Sequence, residues 1–152
     1  MIIPAQTIRK VKPVNPFCER TKFCGVSFGL SSAGYDIRIA KSLRLMRGDF
    51  ALASSMERFE MPNDWLGIVH DKSTWGRKGI AVQNTVIEPG WCGYLTIELT
   101  NHSIDNIWIE EGVGIAQIVF HRLEEPTEQP YTGKYQNQAA GVVPAIFEPD
   151  QT

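Results

Sequence analysis

Glycine and proline interrupt this chain from end to end, and the stretches between them are too short to sustain a helical period. The sequence has 13 glycines and 9 prolines in 152 residues. The intervening segments are rich in valine, isoleucine, threonine and aromatic residues, which is typical of many short strands joined by turns. The pattern therefore predicts one mainly β domain, a barrel or sandwich of short strands.

Four segments have the pattern of individual strands. Polar and apolar residues alternate in 36–39, 94–101 and 107–109, which indicates strands with one buried face. Residues 115–120 are almost continuously apolar, as expected of a strand that is buried on both faces. Turn signals separate the strands at 47–49, 61–64, 88–90, 103–106 and 110–112.

The last stretch of the chain differs in character. Residues 124–152 are polar and carry Pro126, Pro130 and three amides at 136–138. We expect residues 1–123 to form the β domain and 124–152 to form a tail of that domain. Such a tail reads as an arm or lid that needs a partner surface to become ordered.

Charge and cysteine content exclude several classes of protein. The 15 basic and 17 acidic residues give a net charge of -2, which argues against a protein that coats nucleic acid. The sequence shows neither a signal-peptide pattern nor the roughly 20 apolar residues of a membrane span, so we expect a cytoplasmic protein without membrane contact. Cys18, Cys24 and Cys92 form no Cys-x-x-Cys pair, so neither a disulfide framework nor a protein-held metal is expected.

Glu98 is the first candidate for chemistry. It shares one face of the 94–101 strand with Thr96, while the leucines and the isoleucine of that strand point the other way. A lone carboxylate in a strand is most simply a surface residue. Its neighbours favour a site, because a second carboxylate, Glu88, and an exposed-looking aromatic, Trp91, occupy the turn just upstream.

Residues 71–79 are a second candidate. They hold two hydroxyls, three cations and two glycines, which is the chemistry that binds a phosphate chain. A solvated capped turn has the same composition, and the order is not that of a Walker A loop. A short helix over 73–78, capped by Ser73 or Asp71 and ended by Gly79, is also predicted here, with a plain loop as the alternative.

Four motifs together resemble the dCTP deaminase branch of the trimeric dUTPase-like superfamily, from about residue 32 to 146. Ala-Gly-Tyr-Asp-Ile at 33–37 looks like its first motif, and 72–79 is similar to its Arg-Ser-Ser-x-x-Arg-x-Gly signature. Residues 87–98 resemble its Ile-Asp-Pro-Gly-Trp-x-Gly…Glu strand, and 134–138 resemble its Lys-Tyr-x-Asn-Gln tail. The resemblance implies a distorted jelly-roll β fold, a homotrimer with active sites between subunits, and tails that close over them.

The resemblance also implies residue roles. Glu98 would act as general base and then acid, with Ser73 and Arg77 holding the water and the phosphates. The implied substrate-binding residues are Lys72, Thr74, Trp75, Gly76, Glu88, Thr96, Ile97, Tyr131, Lys134 and Gln138. Among them, Glu88 would contact the sugar 3′-hydroxyl, and Thr96 and Ile97 would flank the base through their backbones. Mg²⁺ would arrive with the triphosphate, and no zinc is expected because the His-x-Glu and Pro-Cys-x-x-Cys motifs of zinc deaminases are absent from the sequence.

The implied reaction converts dCTP to dUTP and ammonia, in the supply of dUTP and dTTP precursors, with dTTP as a candidate inhibitor. The alternatives are a bifunctional enzyme that continues to dUMP and pyrophosphate, a plain dUTPase, and a non-catalytic nucleotide-binding member of the fold. Three departures bear on base selectivity. Lys72 stands where the family has an arginine, so a point charge replaces a guanidinium that can bind in a bidentate way. Glu88 stands where the family has an aspartate. Asn84 resembles the residue of dUTPases, and the connection that contains it is shorter than the one in deaminases.

Overall fold

The computed structural model describes residues 1–83 and 85–150, which form twelve strands and two short helices. Asn84, singled out above for its likeness to dUTPases, lies outside the described residues. The elements are, in chain order, α1 (Ala5–Val11), β1 (Val14–Asn15), β2 (Thr21–Phe23), β3 (Val26–Ser31), β4 (Gly34–Arg38), β5 (Leu43–Leu45), β6 (Phe50–Glu60), β7 (Trp65–Asp71), α2 (Ser73–Gly76), β8 (Ile80–Gln83), β9 (Val86–Ile87), β10 (Cys92–Asn101), β11 (Ile107–Ile109) and β12 (Gly114–Arg122).

The strands form two large sheets and one small ribbon. One sheet has the order β1-β6-β10-β8, the other has the order β2-β3-β4-β12-β7-β9, and β11 pairs with β5. The named strands pair antiparallel throughout. A single hydrophobic cluster draws on both sheets, with Phe59 and Leu99 from one and Ile37 and Phe120 from the other. The mainly β prediction is therefore confirmed.

The four predicted strands are all present. Residues 36–39 overlap β4, and 94–101 lie within β10, whose residues alternate strictly between half-buried and buried. Residues 107–109 are β11 itself. Residues 115–120 lie within β12, where Ile115, Ala116, Ile118 and Phe120 are fully buried. Hydrophobic periodicity located these strands because each buries a regular set of apolar side chains.

The longest strand, β6, was not predicted. It pairs with both β1 and β10 and so lies inside its sheet. The sequence does not indicate a buried strand here, because Ser54, Ser55 and Glu57 are polar and yet buried. They interrupt the alternation of polar and apolar residues that marks a strand with one buried face. Helix α1 was also missed, since it spans seven residues and buries only Ile8, too little for a recognisable period.

The short helix of the 71–79 segment is present, but its predicted cap is wrong. Lys72 occupies the N-cap position of α2 without a side-chain capping bond, and the Asp71 carboxylate instead accepts from the Val82 backbone N–H (2.7 Å). The helix ends at Gly76, two residues before its predicted end, and Arg77 is its C-cap; Gly79, at φ +87°, lies three residues beyond the helix. Within the described part of the chain, neither helix is long and apolar enough to cross a membrane.

Candidate functional site

A cavity of about 620 Å³ opens between β6, β9, β10 and the tail, a volume typical of small-molecule sites. Most of its wall is apolar, and the polar groups are few. It is lined by Phe50, Leu52, Thr85, Val86, Ile87, Glu88, Trp91, Leu95, Thr96, Glu98, Tyr131, Tyr135, Gln138, Val143 and Ala145. Such a lining suits a largely apolar ligand group that is oriented by a small number of polar contacts.

Glu98 occupies a central position in this wall. Its backbone lies in β10 with Leu52 of β6 opposite on one side and Gln83 of β8 on the other. A directly opposed pair places its side chains next to each other on one face of the sheet, so the carboxylate lies beside the Leu52 side chain. Burial raises the pKa of Glu98 above its ordinary value, and a backbone hydrogen bond partly opposes this. A carboxyl group in this setting is suited to taking up and returning a proton.

Strand β10 carries a bulge just before Glu98. The pairing with β6 shifts register between Tyr94 and Thr96, and the Leu95 backbone N–H donates to the hydroxyl of Ser55 (2.8 Å). Ser55 is itself buried and donates to the Glu57 carbonyl (2.7 Å). A bulge removes local backbone groups from the regular ladder. Here Ser55 receives the Leu95 amide, while both backbone groups of Tyr94 bond the tail.

The tail lies on its own chain, next to the cavity. The Tyr94 backbone N–H donates to the Gln138 carbonyl (3.0 Å), and the Gln138 carboxamide donates to the Tyr94 carbonyl (2.9 Å) and the Thr96 hydroxyl (2.8 Å). Further along, the Val143 N–H reaches the same hydroxyl (3.4 Å) and the Ile146 N–H donates to the Tyr135 phenol oxygen (2.9 Å). This differs from the expectation of an arm that needs a partner surface, because β10 of the same chain supplies the hydrogen-bond partners of Gln138 and Val143.

Trp91, expected to be exposed, is buried beneath this tail. Its ring packs against Phe59 with centroids 6.0 Å apart, and its indole N–H donates to the Tyr135 carbonyl (2.7 Å). The 88–94 turn therefore holds the tail through a buried aromatic side chain as well as through backbone bonds. The sequence could not reveal this, since the covering residues come more than forty positions later.

Five of the predicted site residues meet at the cavity, and the others lie elsewhere in this single chain. The five are Glu88, Thr96, Glu98, Tyr131 and Gln138. The residues that do not line it are Lys72, Ser73, Thr74, Trp75, Gly76, Arg77, Ile97 and Lys134. Ile97 faces the core at 1% exposure, which leaves only its backbone for the contact expected of it. The Lys134 ammonium lies 5.5 Å from the centroid of the Tyr135 ring.

Two residues of the 71–79 segment are committed to the fold. The Lys72 ammonium donates to the Asp36 carboxylate (2.6 Å) and the Ser27 hydroxyl (3.0 Å), and this ion pair is buried. Trp75 is buried too, and its indole donates to the Gly114 carbonyl (2.7 Å). The predicted substrate contacts of these two side chains are therefore not what this structure shows, because each already has a buried partner.

The cations Arg77 and Lys78 immediately precede β8, whereas the Asp71 carboxylate bonds Val82 near the other end of that strand. Helix α2 leads into β8, whose pairing with β10 runs from Ile80 opposite Asn101 to Gln83 opposite Glu98. Ile80, where β8 begins, lies three residues or about 10 Å along the strand from the Gln83–Glu98 pair, and Arg77 precedes that start. Among the described residues that line the cavity, none is a lysine or an arginine.

Sequence reasoning missed a buried ion pair between the two large sheets. Arg38 Nε lies 2.7 Å from a Glu57 carboxylate oxygen, and the Arg38 backbone N–H donates to the other (2.9 Å). Burial raises the pKa of Glu57, and the hydrogen bonds from Arg38 oppose the rise. The Arg38 guanidinium also lies 4.7 Å from the centroid of the Phe28 ring. No local signal marks such a pair, because its partners come from β4 and β6.

Comparison with known proteins places the chain in a family. The model of the dCTP deaminase-like family matches residues 29–123. A dCTP deaminase from Campylobacter hominis is 37% identical, with 91% of this chain and 90% of that protein covered. A dCTP deaminase from Roseiflexus castenholzii is 38% identical over 90% and 91%, and one from Thermococcus sibiricus is 34% identical over 90% and 92%.

Solved structures give the same fold. The dUTPase from phage phi11 of S. aureus superposes with a TM-score of 0.59 at 19% identity, covering 79% of this chain and 95% of that one. A point mutant of that dUTPase, with the same score, is described with a coordinated structural Mg(II) ion. The EIAV dUTPase gives a TM-score of 0.57 at 22% identity, covering 68% and 87%. At these identities the likeness establishes the fold alone, which is the predicted dUTPase-like one.

Proposed function

Because the chain belongs to the dCTP deaminase-like family, we propose that it hydrolyses dCTP to dUTP and ammonia. The observation that carries the proposal is the position of Glu98. Its half-buried carboxylate lies in the wall of an apolar cavity, and burial raises its pKa. A base in such surroundings is stronger than an ordinary surface glutamate.

In the proposed reaction Glu98 moves every proton. The ionised carboxylate takes a proton from water as the water oxygen bonds to the amino-bearing ring carbon, and passes it to the adjacent ring nitrogen. It then takes the proton of the newly added hydroxyl and delivers it to the amino group. The carbon–nitrogen bond breaks, ammonia leaves, and the carbonyl of uracil forms. Glu98 ends the cycle ionised, and the nucleophile comes from water held by protein groups rather than from a zinc-bound hydroxide.

The other cavity residues would hold the nucleoside. The apolar walls would enclose the pyrimidine ring, the backbones of Thr96 and Ile97 would flank it, and Glu88 would accept a hydrogen bond from the sugar 3′-hydroxyl. Tyr131 and Gln138 would close over the substrate from the tail. Since the Gln138 carboxamide bonds Tyr94 and Thr96 in this structure, its contact with the triphosphate would require exchange of those bonds.

The phosphates need positive charge that this cavity does not supply. Its described lining includes two carboxylates and no cationic side chain. We therefore propose a homotrimer in which α2 of a neighbouring copy brings Ser73, Thr74, Gly76 and Arg77 to the triphosphate, together with Lys134 and the Mg²⁺ that accompanies the nucleotide. Lys72 and Trp75 are left out of this set because both are buried in the fold.

Mixed trimers test the shared site. Glu98→Gln and Arg77→Ala should each be inactive alone, since each removes one half of every site. Co-refolded at equal amounts, they should recover about a quarter of the wild-type activity, because random assembly brings two intact halves together in that fraction of sites. A mixture as inactive as its components, or a monomer mass by light scattering, would contradict the shared site.

Product analysis tests the reaction itself. The protein is incubated separately with dCTP and dUTP in the presence of Mg²⁺, and the nucleotides are separated by chromatography. The proposal predicts dUTP and ammonia from dCTP and no change in dUTP. Unchanged dCTP would overturn it, and dUMP formed only from dUTP would show a dUTPase.

A bifunctional enzyme is the second candidate, on one observation. Glu88 lines the same cavity as Glu98, so a second carboxylate is available to activate water against the phosphate chain. This candidate predicts dUMP and pyrophosphate from dCTP. It also predicts that Glu88→Gln halts the reaction at dUTP, whereas a mono-functional deaminase would form no dUMP at all.

A further inference from the structure

We infer that Gln136 is the positioning residue of the tail, whose carboxamide fastens residues 131–138 to the 88–94 turn and so holds Tyr131 and Gln138 at the cavity. Gln136 falls on the variable position of the Lys-Tyr-x-Asn-Gln motif, so the family pattern assigns it nothing. Its consequence for catalysis rests on the proposed function. Its consequence for the tail does not.

The Gln136 carboxamide makes four hydrogen bonds to backbone groups. Its oxygen accepts from the N–H of Cys92 (2.8 Å) and from the N–H of Asn137 (3.1 Å). Its nitrogen donates to the carbonyls of Gly90 (3.0 Å) and Tyr131 (2.8 Å). Two of these partners belong to the turn and two to the tail, so one side chain joins segments more than forty residues apart.

Only a carboxamide matches this set of partners. The two N–H groups face the acceptor end of the side chain and the two carbonyls face the donor end. A carboxylate of the same size keeps the first pair of bonds and points an oxygen at both carbonyls, while alanine makes none of the four. Gln136 is half-buried, so water can reach an exposed partner but cannot join the two segments.

Backbone hydrogen bonds next to Gln136 also join the tail to the 88–94 turn. The Tyr131 N–H donates to the Pro89 carbonyl (2.9 Å), and the Asn137 N–H donates to the Cys92 carbonyl (2.9 Å). Gln138 follows at once and pairs with Tyr94 and Thr96 beside Glu98. These bonds hold the tail against the turn, and the Gln136 side chain bonds both the turn and the tail.

Hydrogen exchange without nucleotide tests this placement directly. The variants are Gln136→Glu and a matched control, Gln129→Glu, which adds the same charge at an exposed tail position where only the backbone N–H is bonded. Loss of two hydrogen bonds predicts exchange about 30-fold faster at the amides of Tyr131, Asn137 and Tyr94 in Gln136→Glu. Core amides of β12 should keep wild-type protection, which shows that the fold is intact.

Equal tail protection in Gln136→Glu, Gln129→Glu and the wild type would overturn the inference. Faster exchange confined to the tail of Gln136→Glu would support it. A loss of protection that includes β12 would assign Gln136 to global stability and would also overturn it.

Steady-state kinetics supply the second readout. Because saturating nucleotide favours the closed tail, Gln136→Glu should raise KM for dCTP about tenfold and change kcat by less than about threefold. A lower kcat at unchanged KM would contradict a positioning role. If the wild type releases no ammonia from dCTP, the proposed function fails, and the exchange comparison still decides the role of Gln136.

Discussion

Replacing Gly93 by alanine should release the tail without disrupting the core. Gly93 has φ +144°, a conformation that side chains rarely adopt. A Cβ at this position would lie 2.7 Å from the Gln138 backbone nitrogen and 3.0 Å from its Cβ and its carbonyl oxygen. Neither strand nor tail can absorb a contact of that length, so Gln138 must move away from β10.

The magnitude follows from two contributions. A non-glycine residue in such a backbone region costs about 1–3 kcal/mol. Loss of the Tyr94–Gln138 hydrogen bond and of one adjacent hydrogen bond adds about 1 kcal/mol for each of the two bonds. The free energy of unfolding should therefore fall by about 3–5 kcal/mol. Gly25→Ala is the matched control, because Gly25 has φ +76° but nothing within 4 Å of its added Cβ. That variant should lose only about 1 kcal/mol, from strain alone.

Urea denaturation gives the stability difference, and trypsin cleavage after Lys134 gives the state of the tail. Gly93→Ala should be cut at this bond at least about tenfold faster than the wild type, because cleavage tracks the population of the undocked tail. Gly25→Ala should be cut at the wild-type rate. If Gly93→Ala loses stability but its tail is cut no faster than in Gly25→Ala, the close approach of Gly93 and Gln138 does not hold the tail.

Three further predictions concern the interior and the pH dependence. The pH profile of kcat/KM for dCTP should rise through a pKa above that of an ordinary glutamate, since Glu98 must be ionised to act as base; a limb in the ordinary range would contradict this. Ser55→Ala should cost about 1–3 kcal/mol in urea denaturation because it leaves the buried Leu95 N–H without its partner, whereas Ser54→Ala, whose hydroxyl makes a 3.4 Å bond, should change little. Lys72→Met should cost about 3–5 kcal/mol by the same method because Asp36 would stay buried without its cation, and a loss below 1 kcal/mol would show that the pair is unimportant.

The linkage of Glu98 to stability has a definite sign. Its folded-state pKa is raised, so the folded protein binds the proton more tightly than the unfolded chain does. Stability therefore falls as pH rises from the unfolded pKa through the raised folded one. At neutral pH the ionised group carries a cost, which the partial exposure of the carboxylate to solvent keeps small. A glutamine at this position should remove that cost.

The periodicity of apolar residues predicted those strands whose burial depends on their own sequence. Strands β10, β11 and β12 bury alternate or continuous apolar residues, and their positions could be read directly from the chain. Strand β6 could not, because Ser55 and Glu57 are buried by partners that other strands provide. The periodicity of a strand shows which face is buried only when that face is apolar.

Some of the candidate site residues could likewise be placed from the sequence, and others could not. Glu98 and Thr96 share the cavity face of β10, as the alternation of that strand predicts. For Lys72, composition suggested a phosphate contact, and the structure gives a buried pair with Asp36, which lies thirty-six positions earlier. A lysine next to hydroxyl residues gives the same sequence pattern whether it binds a phosphate or forms a buried ion pair. Only the pairing of distant segments decides which partner it meets.

A single substitution tests whether Glu98 carries out the proposed deamination. Glu98→Gln keeps the shape of the side chain and removes its capacity to take a proton from water. We expect no ammonia release from dCTP above the uncatalysed rate, with dCTP binding by calorimetry within about threefold of the wild type. Ammonia release at the wild-type rate from the glutamine variant would contradict it.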